Sequence, residues 1–206
     1  MPNAESDQTA LETVPFEDIV EGDPVELNGC TMCNSMSTRI DWRIIECEGC
    51  HPQNDEDSCA AAIYITARKI FGLAELSYED CVAKVECNAA VGTANHLFVE
   101  AFERLGPGFE VLAQEEGTPE QLEALLDQGY FVVINYRHPE DKVGHYAIVK
   151  EVTDSSFLLF DPDPESGVHS EVPFSELDWR SGFNIPTLHN WFVAIRQNNA
   201  QAIEAA

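Results

Sequence analysis

Residues 59–71 read CAAAIYITARKIF, and they predict a helix whose circumference is covered almost entirely by small or apolar side chains. Gly72 follows this segment at the position that commonly ends a helix. Asp57 and Ser58 come directly before the predicted helix and are candidate N-caps. A helix that is apolar on nearly all sides has no face suited to water. The rest of the domain is therefore expected to enclose this helix, with Cys59 at the point where a polar loop meets the buried segment.

Helices come first along the chain, and strands follow them. Residues 77–87 and 93–105 predict two further helices, and GTPEQLEALLDQG predicts a short one that Thr118 caps and Gly129 ends. The pattern then changes to the apolar or alternating runs YFVVINYR, HYAIVKEV and SFLLFDPD, with residues 172–180 and NWFVAIR as two more elements. This order predicts an α+β fold in which N-terminal helices pack on a mostly antiparallel sheet.

Acidic residues dominate the charge of the chain. Its 206 residues include 37 Asp and Glu against 11 Lys and Arg, for a net charge of −26. Such a chain repels polyanions, so neither nucleic acid nor an anionic membrane is expected as a partner. No apolar run approaches the roughly 18 residues that span a bilayer, and the N-terminal residues lack the blocks of a secretion signal. A cytoplasmic protein is expected.

A cysteine-dense segment precedes the first predicted helix. Cys30, Cys33, Cys47 and Cys50 form two C-x2-C pairs with thirteen residues between them. Two such turns present four thiolates to one Zn²⁺ ion, which predicts a closed, structural zinc site. Disulfides and free thiols remain alternatives, although a chain without a secretion signal favours metal. The predicted organisation begins with an acidic flexible tail at 1–28 and the four-cysteine element at 29–51. The main domain follows at 52–198, and a short C-terminal tail at 199–206.

Cys59 is a candidate nucleophile. A thiol in the first turn of a helix lies among unpaired backbone N–H groups at the positive end of the helix dipole, which favours the thiolate. It also needs a base, a group that orients the base and a donor to the oxyanion. His145 opens one predicted strand and Asp161 ends the next, sixteen residues later, so adjacent antiparallel strands would bring the two together. Gln53 lies six residues before the thiol, within reach to share an oxyanion with the backbone N–H of Cys59.

The order Gln53, Cys59, His145, Asp161 resembles that of the papain-like cysteine peptidases. Within this superfamily the chain is most similar to the bacteriocin-processing peptidase domains, which cut leader peptides after two glycines. The likeness is carried by QNDEDSCAAA, GTPEQLEALLDQGYFVVINY, GHYAIV and LLFDPD. By this resemblance Cys59 is the nucleophile, His145 the base, Asp161 the orienting carboxylate and Gln53 the oxyanion donor.

The resemblance implies a papain-like fold and hydrolysis of a peptide or isopeptide bond through a thioester, with a peptide or protein as substrate. The chain departs from the family at Ala60, where glycine is usual, and at Ser58, where an acid is common. Two alternatives remain open. One is an acyltransferase similar to the phytochelatin synthases, which share the layout and pass the acyl group to an amine. The other is a catalytically inactive papain-like binding module that contains zinc.

Overall fold

A computed structural model of the chain describes residue 40 and residues 59–88, 92–137, 144–162, 169–179 and 190–198. All of these belong to Ser37–Ala206, the larger of the two units into which the chain divides. Several predicted features lie outside the described residues. They are Gln53, the four cysteines of the two C-x2-C motifs, and the tails at 1–28 and 199–206. The predictions made for them therefore stay predictions.

The helices follow the predicted order. Within the described residues they are α1, α2, α3 and α4, at Cys59–Ile70, Tyr78–Lys84, Asn95–Glu103 and Pro119–Asp127. Among the described residues, no helix is both long enough and apolar enough to cross a membrane.

The C-terminal end of α1 has the predicted glycine stop. Gly72 adopts a φ of +63°, in the left-handed region. The Leu73 N–H donates to the Arg68 carbonyl at 2.9 Å, and the Gly72 N–H donates to the Lys69 carbonyl at 3.1 Å. This pair of bonds satisfies carbonyls that a helix end leaves unpaired, and glycine adopts the required conformation without strain.

Local signals set both ends of α4, as predicted. The Thr118 hydroxyl accepts from the Gln121 N–H at 3.3 Å, and the Gln121 side chain accepts in return from the Thr118 N–H at 2.9 Å. Pro119 occupies the first turn, where its missing N–H costs nothing. Gly129, with φ +80°, ends the helix.

The strands form one antiparallel sheet in the spatial order β1-β6-β2-β3-β4-β5. In chain order, β1 to β6 lie at Phe109–Gln114, Phe131–Arg137, Gly144–Val152, Ser156–Phe160, His169–Pro173 and Phe192–Gln197. This architecture confirms the predicted α+β class with a mostly antiparallel sheet.

Two strands differ from the prediction. β1 was not predicted, because its FEVLAQ sequence is only partly buried and becomes a strand by pairing with the distant β6, Phe109 opposite Gln197. The strand expected at 172–180 lies earlier, at His169–Pro173. It pairs with β4 from His169 opposite Phe160 to Pro173 opposite Ser156, the first residue of β4.

The sheet is buried on both faces. The helices α1, α2 and α3 cover one face, and α4 covers the other. Along β2, Phe131 and Val133 point toward the α1 side, whereas Val132 and Ile134 point toward α4. A strand enclosed on both faces reads as a continuous apolar run, which accounts for FVVI in the sequence.

Candidate active site

Cys59 is the first residue of α1, and its exposed fraction is 8%. The residues that follow it, Ala60, Ala61 and Ala62, are buried in the core, so α1 is enclosed from its first turn. That turn holds no acidic side chain that would oppose a negative charge. The unpaired N–H groups of a helix N-terminus attract anions. The fold therefore fixes the sulfur at the N-terminal end of a buried helix.

β3 and β4 bring His145 and Asp161 together. His145 is the second residue of β3, and Asp161 directly follows the last residue of β4. The register of the two strands pairs Ile148 with Phe160. Continued by one residue, it sets Asp161 beside Ala147, on the face of the sheet that carries His145. The Nε2 atom of His145 lies 2.6 Å from Oδ1 of Asp161.

The imidazole of His145 lies between the carboxylate and the thiol. His145 makes a hydrogen bond to Cys59 as well as to Asp161. Because Nε2 is engaged by Asp161, the nitrogen that remains for the sulfur is Nδ1. His145 is 5% exposed and Asp161 is 1% exposed, so water is largely excluded from both. The helix α1 and the two consecutive strands β3 and β4 thus supply a thiol, an imidazole and a carboxylate to one site.

This environment raises the pKa of His145 from 6.5 to about 10. Burial acts in the opposite direction, because a charged ring loses its hydration. The negative charge of Cys59 and the hydrogen bond to Asp161 outweigh burial, and the hydrogen bond to Cys59 and the charge of Asp161 add to them. At neutral pH the ring therefore carries a proton that it can give to a leaving group.

Tyr136 is a further group at this site, and nothing in the sequence predicted it. It lies directly opposite His145 in the register of β2 and β3. The two rings are nearly perpendicular, at 87°, with centroids 5.6 Å apart. The Tyr136 hydroxyl donates to Oδ2 of Asp161 at 2.5 Å. Each oxygen of the Asp161 carboxylate therefore has its own donor.

Proteins similar to this chain were found by comparing its structure with solved structures, and not by comparing its sequence. No family model matches the sequence, and no curated protein matches it. The peptidase domain of Streptococcus ComA, a bifunctional ABC transporter of a quorum-sensing pathway, aligns with a TM-score of 0.52 at 22% identity, over 71% of this chain and 94% of that one. The described chain has the papain-like fold of such peptidase domains.

Two more solved structures show the same papain-like fold. One is a double glycine motif protease from an AMS/PCAT transporter in complex with its leader peptide, with a TM-score of 0.50 at 13% identity over 71% of this chain and 89% of that one. The other is a C39-like peptidase from Bacillus anthracis, with a TM-score of 0.53 at 10% identity over 71% and 93% of the two chains. At these identities the likeness concerns the fold, and it confirms the predicted fold class.

Three of the four residues expected to act together lie together in the structure, namely Cys59, His145 and Asp161. The fourth, Gln53, is outside the described residues. So are the expected zinc ligands Cys30, Cys33, Cys47 and Cys50. Within the part of the chain that the structure describes, no group of three or more His, Cys, Asp or Glu side chains could hold a metal ion. The zinc prediction concerns other residues and is not tested by this finding.

A buried polar cluster on the α1 side of the sheet was also not predicted. The Tyr146 hydroxyl lies 2.6 Å from Oδ1 of Asn95 and 2.9 Å from the Thr93 carbonyl, and Nδ2 of Asn135 donates to the same Asn95 oxygen at 2.7 Å. Burial raises the pKa of Tyr146, and the negative charge of Cys59 adds to the effect. The cluster is therefore an electrostatic neighbour of the thiol. An asparagine inside the apolar run YFVVINYR is the signal that could have pointed to it.

Proposed function

We propose that the protein is a cysteine peptidase that hydrolyses a peptide or isopeptide bond through a thioester on Cys59. The observation that carries the proposal is the position of His145, which is hydrogen-bonded to Cys59 on one side and to Asp161 on the other. A buried thiol, imidazole and carboxylate in this order form the arrangement by which proteins generate a thiolate nucleophile and a proton donor together.

In the first half of the proposed reaction, the Cys59 thiolate attacks the carbonyl carbon of the substrate and forms a C–S bond. The carbonyl electrons move to oxygen and return when the C–N bond breaks. Protonated His145 gives its Nδ1 proton to the departing nitrogen, which leaves as a neutral amine. Asp161, on Nε2, keeps the ring oriented throughout.

In the second half, water attacks the thioester. His145, now neutral, takes a proton from that water, and the C–S bond breaks to release the carboxylic acid product. The Cys59 thiolate and the charged imidazole are then restored, so the cycle needs no other reactant than water.

The oxyanion of each tetrahedral intermediate would be stabilised by the backbone N–H of Cys59 and, by the family resemblance, by the side-chain amide of Gln53. Ala60 does not oppose this role, because it is 1% exposed and its methyl group belongs to the core.

Removal of a single oxyanion donor commonly costs about 10²–10³ in kcat. Gln53→Ala is expected to lower kcat in this range with a smaller change in KM.

A peptide is the proposed substrate class. One of the structures that share the fold is a protease bound to a leader peptide. The net charge of −26 disfavours polyanionic ligands, which agrees with a peptide substrate. The expected absence of nucleic-acid and membrane partners is part of this proposal.

Labelling with an electrophilic peptide probe tests the proposal most directly. The modified residue, mapped by mass spectrometry, should be Cys59, and Cys59→Ala should abolish both labelling and hydrolysis while the thermal unfolding midpoint stays close to that of the parent protein. Cys87→Ala is the matched control, because Cys87 is a half-buried cysteine, without a disulfide, outside the proposed triad. Peptide hydrolysis that survives in Cys59→Ala would remove the proposal.

The same assay separates hydrolysis from acyl transfer. Supplying a nucleophilic amine at high concentration should leave the acid as the main product of a hydrolase, whereas a phytochelatin-synthase-like acyltransferase would form a new amide. An inactive binding module would give neither product, and its Cys59 would react with the probe no faster than Cys81, which is fully buried.

We also propose that Cys30, Cys33, Cys47 and Cys50 hold one structural Zn²⁺ ion. The support is their two C-x2-C pairs, which suit four-thiolate coordination in a reducing cytoplasm. Purified protein should contain one zinc per chain by elemental analysis, and Cys47→Ser should lose it. Zinc-free protein with two disulfides among these residues would show that the redox alternative is right.

A further inference from the structure

The Asp161 carboxylate has a donor on each oxygen, and the two donors come from different strands. Oδ1 is 2.6 Å from Nε2 of His145 on β3, and Oδ2 accepts at 2.5 Å from the hydroxyl of Tyr136 on β2. β3 pairs directly with β2 and with β4, the strand that leads into Asp161. The Tyr136 side chain therefore extends from β2 across β3, the strand that carries His145. Its hydroxyl binds the carboxylate oxygen of Asp161 that His145 does not contact.

We propose that Tyr136 is a positioning residue, whose hydroxyl locks Asp161 in the orientation that turns Nδ1 of His145 toward the Cys59 sulfur. This inference rests on the proposed function, since it assigns Tyr136 a role in the same site. Neither the sequence pattern nor the shared fold assigns it.

The geometry favours a role beyond packing. A carboxylate with one donor can rotate about its terminal bond, because that rotation has broad, shallow minima. A second donor on the other oxygen removes this freedom and so fixes the direction of the first hydrogen bond. The Tyr136 ring adds a second constraint, because it meets the imidazole at 87° with centroids 5.6 Å apart and so limits tilting of His145.

A purely structural reading is that Tyr136 is a buried phenol that simply needs an acceptor. Tyr130 offers the matched comparison. It lies one residue before β2, is buried, and also hydrogen-bonds a carboxylate, that of Glu110. Tyr136 lies six positions further along the chain, about 20 Å away in an extended strand. Removal of either hydroxyl breaks a similar bond, but only that of Tyr136 touches the site.

The decisive measurement is an NMR titration of the His145 ring nitrogens in Tyr136→Phe and Tyr130→Phe. Asp161 raises the pKa of His145 by its hydrogen bond and its charge, whereas burial lowers it. With Oδ2 of Asp161 no longer held by the Tyr136 hydroxyl, the pKa of His145 should fall by about one unit in Tyr136→Phe and stay unchanged in Tyr130→Phe. Equal titrations in the two variants would overturn the proposal.

A second measurement uses the alkylation rate of Cys59, which needs no substrate. At neutral pH this rate should fall about tenfold in Tyr136→Phe and less than twofold in Tyr130→Phe. In an Asp161→Asn background the Tyr136→Phe effect should shrink to less than twofold, because the two residues act through one bond. The same tenfold loss in that background would show that Tyr136 does not act through Asp161.

Two outcomes can be separated by this design. If the alkylation and NMR effects appear but no peptide is hydrolysed, the positioning role stands and the peptidase function fails.

If Tyr136→Phe does not fold, the proposal can still be tested on the wild-type protein. Its Tyr136 hydroxyl proton should be protected from exchange and shifted downfield, and it should lose both properties in Asp161→Ala, which removes the acceptor. An unprotected hydroxyl in the wild type would contradict the proposal.

Discussion

His145 uses both nitrogens of its ring, and the acidic groups on either side control its charge. The pKa of the buried ring rises from 6.5 to about 10 because Cys59 and Asp161 favour the charged form more strongly than burial disfavours it. The stabilisation that this charge contributes is complete below about 6.5 and is lost as the pH rises toward about 10. Over the physiological pH range His145 therefore keeps the proton that the proposed reaction transfers to the leaving group.

This charge predicts the alkaline limit of activity. The pH profile of kcat/KM should fall on the alkaline side as His145 loses its proton near pH 10. In Asp161→Asn the limit should move to lower pH, because one of the groups that raise the pKa of His145 has lost its charge. The profile is measured with a neutral peptide substrate. An alkaline limit that is identical in the two proteins would contradict the assignment.

Asp161→Asn should also lower kcat. The amide keeps the shape of the carboxylate but removes its charge and places an N–H group where an acceptor is needed. In a Ser-His-Asp triad the equivalent change costs about 10⁴ in kcat, and a loss of at least about a hundredfold is expected for the Cys59, His145 and Asp161 arrangement. Asp154→Asn is the matched control, because Asp154 is exposed in the turn between β3 and β4. A hundredfold loss in both variants would point to a fold defect instead.

At the scale of single elements, α1 positions the sulfur because its alanines allow close packing. Ala61 has no exposed surface and lies in the core between α1 and the sheet. Ala61→Leu adds three carbons to a filled space and should lower the free energy of unfolding by about 1–3 kcal/mol. Urea denaturation measures the change. Ala83→Leu, on the exposed surface of α2, should change stability by less than about 0.5 kcal/mol.

The N-terminal end of α4 depends on its cap. Thr118→Ala removes the acceptor for the Gln121 N–H and should cost about 1 kcal/mol of stability. Thr118→Ser keeps the hydroxyl and should stay close to the parent. Since α4 packs on the face of the sheet opposite α1, hydrolysis by the folded fraction should be unchanged. A serine variant as unstable as the alanine variant would show that the methyl group matters more than the cap.

At the scale of the whole molecule, the net charge of −26 implies self-repulsion between acidic side chains. Salt screens such repulsion over a Debye length of about 10 Å at 0.1 M. The midpoint of thermal unfolding should therefore rise as NaCl increases from about 0.01 M to about 1 M. Choline chloride at equal ionic strength is the control, because screening depends on charge and not on the identity of the cation. A midpoint that falls with either salt would contradict this expectation.

Sequence order was enough to predict the helices and most of the sheet, because their signals are local. The cap and stop of α4 lie within one short segment, from Thr118 to Gly129. The buried character of α1 follows from its composition alone. Cys59, His145 and Asp161 could be chosen because a thiol at a helix start, and two polar residues at the ends of neighbouring strands, are visible in one dimension. The roles assigned to them stay proposals.

The sheet decided the rest, because pairing between distant strands is not written in any one segment. β1 became a strand only by meeting β6, Phe109 opposite Gln197. Tyr136 reads as one more large side chain in an apolar run, and it meets Asp161 only because the register of β2 and β3 sets it opposite His145. Local chemistry selects which residues are reactive, whereas strand register determines which of them share a proton.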